Sequence, residues 1–129
     1  MIGADLNESR MIVEPLTIGQ MVSAQARLQP DKLAARDLSR AMTYRQLNTR
    51  ATQLANALVG LGLEVGQRVA VLAYNRVEWA EIYIAVAKAG LVAVPINFRL
   101  TAPETAYIVS HSGAAALIVE SPLVNIVEN

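Results

Sequence analysis

Arg99 is the side chain in this sequence whose position most directly suggests ligand chemistry. It sits in the turn Asn97-Phe98-Arg99-Leu100, just past the run Ala-Gly-Leu-Val-Ala-Val-Pro-Ile of residues 89–96. An open α/β sheet keeps its ligands at the carboxyl ends of its strands, and a guanidinium is suited to bidentate phosphate binding. Glu104 is close enough in sequence to offer the competing assignment, a surface ion pair. Both readings stay open on position alone.

Other chemistry-bearing residues give less. His111 is the single histidine and adjoins Ser112, but neighbours at a helix end point apart, and no third group is placed to orient the imidazole. A helix-terminus role, favourable to the dipole when protonated, is the better reading of His111. With no cysteine there is no thiol nucleophile, disulfide or thiolate metal set, so no catalytic or metal residue is assigned. Glu78 and Glu81 share a helix face at a spacing of three and read as a capping glutamate beside a solvated one. Gly60-Leu61-Gly62-Leu63-Glu64-Val65-Gly66 closes a helix and precedes a strand, the reverse of a phosphate loop. Trp79 and Tyr83 share a face without a basic groove beside them, which favours core packing over base stacking.

Hydrophobic spacing defines the elements that must hold these residues. Residues 17–28 predict a first helix with a stripe of Ile18, Met21, Val22 and Leu28, ended by Gln29-Pro30-Asp31. Residues 33–36 and 41–44 predict a small antiparallel hairpin. Thr43 with Gln46 forms a capping box for a helix whose apolar positions are Leu47, Ala51, Leu54, Leu58 and Leu61, packed onto a sheet, with Gly62 as its stop. Residues 68–74 are a continuous apolar run, as in a strand covered on both faces. Asn75 with Glu78 then predicts a cap for a helix carrying Trp79, Ile82, Tyr83, Val86 and Ala89, with Gly90 its left-handed end. Residues 91–94 form a strand before Pro95. Thr101 with Glu104 caps a third helix through about His111, residues 114–119 form another strand, and Ser121-Pro122 opens a short helix to Val127. The alternation implies an α/β fold: a mostly parallel sheet with right-handed helical crossovers plus a small N-terminal antiparallel hairpin. Residues 1–16 are expected to be a flexible segment and 17–129 one α/β unit.

Composition narrows the partners. The chain has 129 residues, eleven basic and eleven acidic, and a formal charge of zero. Counterion release therefore has no source, and nucleic acid is not an expected partner. The apolar fraction is 53% and charged residues are 17%, a surplus that implies self-association through exposed apolar surface or burial against a partner. The most apolar window, 79–96, contains Glu81, Lys88, Gly90 and Pro95 and is no membrane span. Without a signal-peptide pattern, and with no cysteine, the expected location is cytoplasmic.

Read in order, Pro30-Asp31-Lys32, Met42-Thr43-Tyr44-Arg45-Gln46-Leu47, Gly66-Gln67-Arg68-Val69-Ala70-Val71-Leu72, residues 89–100 and His111-Ser112-Gly113-Ala114 resemble the opening of adenylate-forming (AMP-binding) enzymes, closest to acyl-CoA synthetases. Gln67 departs from the aspartate common at its position, a surface turn. The resemblance implies a partial N-terminal subdomain of the acyl-CoA synthetase-like fold, incomplete without the remaining domains of a parent enzyme. It also implies the parent reaction, in which a carboxylic acid, ATP and CoA give acyl-CoA, AMP and pyrophosphate through an acyl-adenylate, with ATP, magnesium and CoA as cofactors. The family's glycine-rich lysine-bearing phosphate loop, its ribose aspartate and its later catalytic lysine are not among these residues. No cofactor is therefore expected for this chain alone, and it is expected to be inactive by itself; a non-catalytic nucleotide- or CoA-binding or association module is the alternative. Within the resemblance, Arg99 is a CoA phosphate contact, Asn97 fixes the turn and Leu100 packs.

Overall fold

The computed structural model describes residues 17–128; the segment 1–16 expected to be flexible lies outside them. Helix α1 (Ile18–Leu28) leads into a hairpin of β1 (Leu33–Arg36) and β2 (Ala41–Thr43), followed directly by α2 (Tyr44–Gly60). The remainder alternates: β3 (Arg68–Leu72), α3 (Glu78–Lys88), β4 (Val92–Ile96), α4 (Ala102–Ser112), β5 (Ala116–Val119), a single 3₁₀ turn (Ser121–Leu123) and α5 (Val124–Val127). β1 and β2 are antiparallel, with a register shift between Leu33 and Ala35. The main sheet is parallel and ordered β4-β3-β5.

That order follows from two crossovers of one hand taken in opposite directions. β3 steps to β4 through α3, and the chain then crosses back through α4 to the far side of β3, so the two helices cover opposite faces. Val69 and Val71 point to one face, where they meet Leu58 of α2 with Ile82 and Val86 of α3. Ala70 and Leu72 point to the other, beneath Ile96, Leu123 and the half-buried Ile108 and Val109 of α4. Val69 to Leu72 are fully buried.

The hairpin and all three strands of the sheet fall where the apolar runs place them. Other expectations need correction. The α1 stripe is mostly in solvent: Ile18, Met21 and Leu28 are exposed, Leu28 by 78%, and only Val22 reaches a core cluster. α1 docks through Gly19, where a Cβ would stand 2.7 Å from Lys88 Cγ. Helix α2 meets α3 through Ala51, Ala55 and Ala85 as well as covering the sheet with Leu58, while Leu61 is exposed. β4 runs one residue beyond Pro95, because an outer strand tolerates a proline whose missing N–H faces away from its partner. Ser121 opens a 3₁₀ turn and makes no side-chain cap.

Gly90 carries φ 70° at the end of α3, where its N–H donates to the Ala87 carbonyl and its own carbonyl accepts from Gly66. A side chain there would strain the backbone and stand 3.1 Å from Val65 Cγ2. Gly90→Ala should therefore cost about 1–2 kcal/mol. Urea unfolding checks this, and a midpoint equal to that of the unaltered protein would contradict it.

Candidate functional site at the carboxyl end of the sheet

The chain leaves β3 toward α3 on one face, but leaves β4 and β5 toward α4 and α5 on the other. Strands whose continuations part in this way leave a crevice between them. Two such crevices flank the end of β3, and their electrostatics differ.

Between β3 and β4 lies a groove of 500 Å³ lined by residues that include Asn75, Trp79, Tyr83 and Arg99. The turn that carries Arg99 is fixed locally, as Asn97 Oδ1 accepts from the Arg99 amide at 3.0 Å and the Asn97 carbonyl accepts from Leu100 N–H at 3.1 Å. Arg99 is exposed, with its guanidinium carbon 4.9 Å from the centre of the Phe98 ring, a cation–π contact. Phe98 in turn sits edge-on to Tyr74, centres 5.0 Å apart. Trp79 donates its indole N–H to the Tyr74 carbonyl at 2.8 Å and lies 5.3 Å from Tyr83, so it braces the wall of the groove. The surface pairing with Glu104 does not form. That carboxylate accepts from the N–H and hydroxyl of Thr101 at 2.8 and 2.9 Å. Among the described residues, no carboxylate pairs with Arg99.

Between β3 and β5 the cation is already neutralised. Arg76 reaches Glu120 Oε1 at 2.6 Å and Glu78 Oε2 at 3.3 Å, and Glu78 also meets Arg40 at 3.2 Å. Glu120 accepts the Tyr74 amide at 2.8 Å as well. Burial alone would raise the Glu120 pKa, but Arg76 and that amide outweigh it and hold it below its ordinary value. The expected Asn75–Glu78 cap is absent. Residue Val77 begins α3 without a side-chain cap of its own, and its N–H donates to Asp37 Oδ2 at 2.9 Å. Asp37 Oδ1 meanwhile accepts from Ser39 and Arg40 amides, each at 2.8 Å. The Val77 amide first, then those of Ser39 and Arg40, hold the Asp37 carboxyl far below the usual carboxylate range.

Glu81 is likewise no solvated partner of Glu78. It is 8% exposed and forms a two-point pair with Arg50 of α2 at 2.5 and 2.9 Å. His111 stacks on Tyr107 in the last turn of α4, centres 5.3 Å apart, and Ser112 donates to the Val109 carbonyl, so the two form no dyad. Among the described residues, no cluster of three or more metal-ligating side chains exists and no helix is long and apolar enough to cross a membrane. Gln67, at the departure from the aspartate of the resemblance, accepts the Glu64 amide at 2.8 Å and closes the turn before β3.

An open α/β sheet with a free guanidinium in one switch-point crevice is a nucleotide-type scaffold, and comparison gives it a family. Residues 22–129 match the AMP-binding enzyme family, to which this chain belongs. Over 113 residues it is 40% identical to the long-chain-fatty-acid–CoA ligase FadD13 of Mycobacterium tuberculosis, covering 86% of this chain and 22% of the relative. It is 38% identical over 112 residues to the fatty acid–[acyl-carrier-protein] ligase ScoC of Streptomyces coeruleorubidus, covering 87% and 22%. The N-terminal domain of FACL13 from M. tuberculosis superposes with a TM-score of 0.82 at 39% identity, over 87% of this chain and 29% of that one. The chain thus spans about a fifth of the length of these curated relatives.

ATP and magnesium, implied by the resemblance for a whole ligase, do not fit these residues. The strand-to-helix loops 73–77 and 97–101 contain no glycine to bring backbone amides against a triphosphate. Gly62, Gly66, Gly90 and Gly113, the glycines with positive φ, all lie on the helix-to-strand side, at the opposite end of the sheet. A single phosphate is what Arg99 can hold.

Asp37, Glu104 and Glu120 all ionise more readily folded than unfolded. Their contribution to stability is complete above the ordinary carboxylate range and is lost as pH falls through it, because the unfolded chain then takes up more protons. The thermal midpoint should hold across neutral pH and drop below about pH 4. Asp37→Asn should lower the neutral midpoint and flatten that drop; an unchanged pH profile in melts of this variant would exclude Asp37 as its source.

Proposed function

We propose that this chain is the opening α/β section of an AMP-forming acid–CoA ligase, and that it is inactive alone. The parent enzyme would convert a carboxylic acid, ATP and CoA to acyl-CoA, AMP and pyrophosphate through an acyl-adenylate, in concert with the remaining domains that its relatives contain. The carrying observation is the combination of about 40% identity to a fatty-acid ligase with strand-to-helix loops that offer no seat for a triphosphate. The chemical logic is that a carboxylate is a poor electrophile, and adenylation turns one of its oxygens into a leaving group while nearby cations stabilise the charge. Relatives named for long-chain fatty acids, feruloyl and anthranilate all match over this section, which supports placing acid selection in later residues. The absence of cysteine favours a reducing, cytoplasmic setting.

A second reading, a CoA- or nucleotide-holding module, draws on one specific feature: the unpaired guanidinium of Arg99 in the β3/β4 groove. In this reading Arg99 meets a phosphate of CoA, with Phe98 holding the side chain toward the crevice.

Purified 129-residue protein should give no ATP–pyrophosphate exchange above background with a panel of carboxylic acids; turnover would refute the inactivity. In calorimetric titration, CoA should bind about ten-fold more tightly than dephospho-CoA, the worth of one charged hydrogen bond. Arg99→Ala should erase that difference. Equal affinity for the two ligands, or no effect of the substitution, would reject the phosphate contact.

A further inference from the structure

β4 and β5 are both outer strands, and they close the sheet differently. On β4, the Val92 N–H points inward to the Gln67 carbonyl, so strand alternation puts the nitrogen of Pro95 on the outer side, where it offers no donor. This is a common device for refusing another strand. β5 has no such guard. It reads Ala116-Leu117-Ile118-Val119, without proline or charge, and all four residues are half-buried. Among the described residues, no strand pairs with its outer side. Ala115 donates inward to the Arg68 carbonyl at 2.8 Å, so alternation turns both backbone groups of Ala116 and of Ile118 outward.

Hollows flank this edge on both faces. One of 590 Å³ lies among α4, α5 and Leu117, and another of 310 Å³ touches Ile118 and Val119. Thr105, 1% exposed, lines the larger hollow with a buried hydroxyl that has no partner. A strand laid along β5 would satisfy the outward amides and bring side chains over both hollows at once.

We infer that β5 is the seam of a symmetric dimer, in which two copies of this chain pair antiparallel about a two-fold axis at Leu117. Three observations favour a second copy as the occupant. The outward groups are symmetric about Leu117, so Ala116 of one copy and Ile118 of the other form a hydrogen-bonded pair twice over, as a closed two-fold contact requires. The axis stands normal to the sheet and keeps α4 and α5 of both copies on one face. The two Leu117 side chains then meet at a non-hydrogen-bonded position, with Cα atoms about 4.5 Å apart, beside the larger hollow. Finally, the formal charge of zero sets no net repulsion between copies. The inference is independent of the ligase reading.

Light scattering should give twice the 13.9 kDa mass of one chain, and Ile118→Pro, which removes an outward donor, should return it to a single chain with unchanged circular dichroism. Because the sequence has no cysteine, Leu117→Cys provides a single thiol at the axis, within disulfide range of its mate. It should cross-link at least about ten-fold faster under mild oxidation than Val92→Cys on the guarded edge, through the raised local concentration. A single-chain mass at every concentration would overturn the inference. So would a dimer in which Leu117→Cys cross-links no faster than Val92→Cys, a comparison that stands even if Ile118→Pro fails to fold.

Discussion

A strand buried on both faces and paired along both edges is the constraint on which this structure depends. Val69 to Leu72 of β3 are fully buried, and burying four such residues is worth several kcal/mol, at about 0.8 kcal/mol for each methylene removed from water. That gain requires helices on both faces, hence crossovers that leave in opposite directions and a central place for β3. The same requirement produces the crevices at its carboxyl end. The site is a by-product of covering one apolar strand twice.

Polar residues then decide which crevice stays open. Arg76 is spent between Glu78 and Glu120, and Asp37 ties the hairpin turn to the first amide of the loop into α3. Buried or half-buried carboxylates are acceptable there because each has several partners. On the other side of β3, Glu104 is consumed by its own helix start, which leaves the Arg99 guanidinium against Phe98 and solvent. The two crevices come from one topology and differ only in what neutralises their arginine.

Features set by neighbours in sequence were legible in it. The Thr43–Gln46 box, the left-handed Gly90, and the apolar runs of β3 and β5 all depend on residues a few positions apart, and all occur. The misreadings involve distance. Glu78 and Asn75 look like a cap, but Asp37, forty positions away, supplies the acceptor. Glu81 looks solvated until Arg50 arrives from α2. Ile18, Met21 and Leu28 look like a buried stripe, yet the helix is held by the absence of a side chain at Gly19. At Arg99 the sequence supplied the right residue and two partners to choose between, and only the capture of Glu104 separates them.

The central claim, that β3 anchors the fold, is tested most directly by native-state amide hydrogen exchange resolved residue by residue. The amides of Val69 to Leu72 should be the slowest in the chain, exchanging only through global unfolding, while the β1–β2 hairpin and α1 open sooner. Protection of the hairpin or α1 equal to or greater than that of β3 would contradict the account.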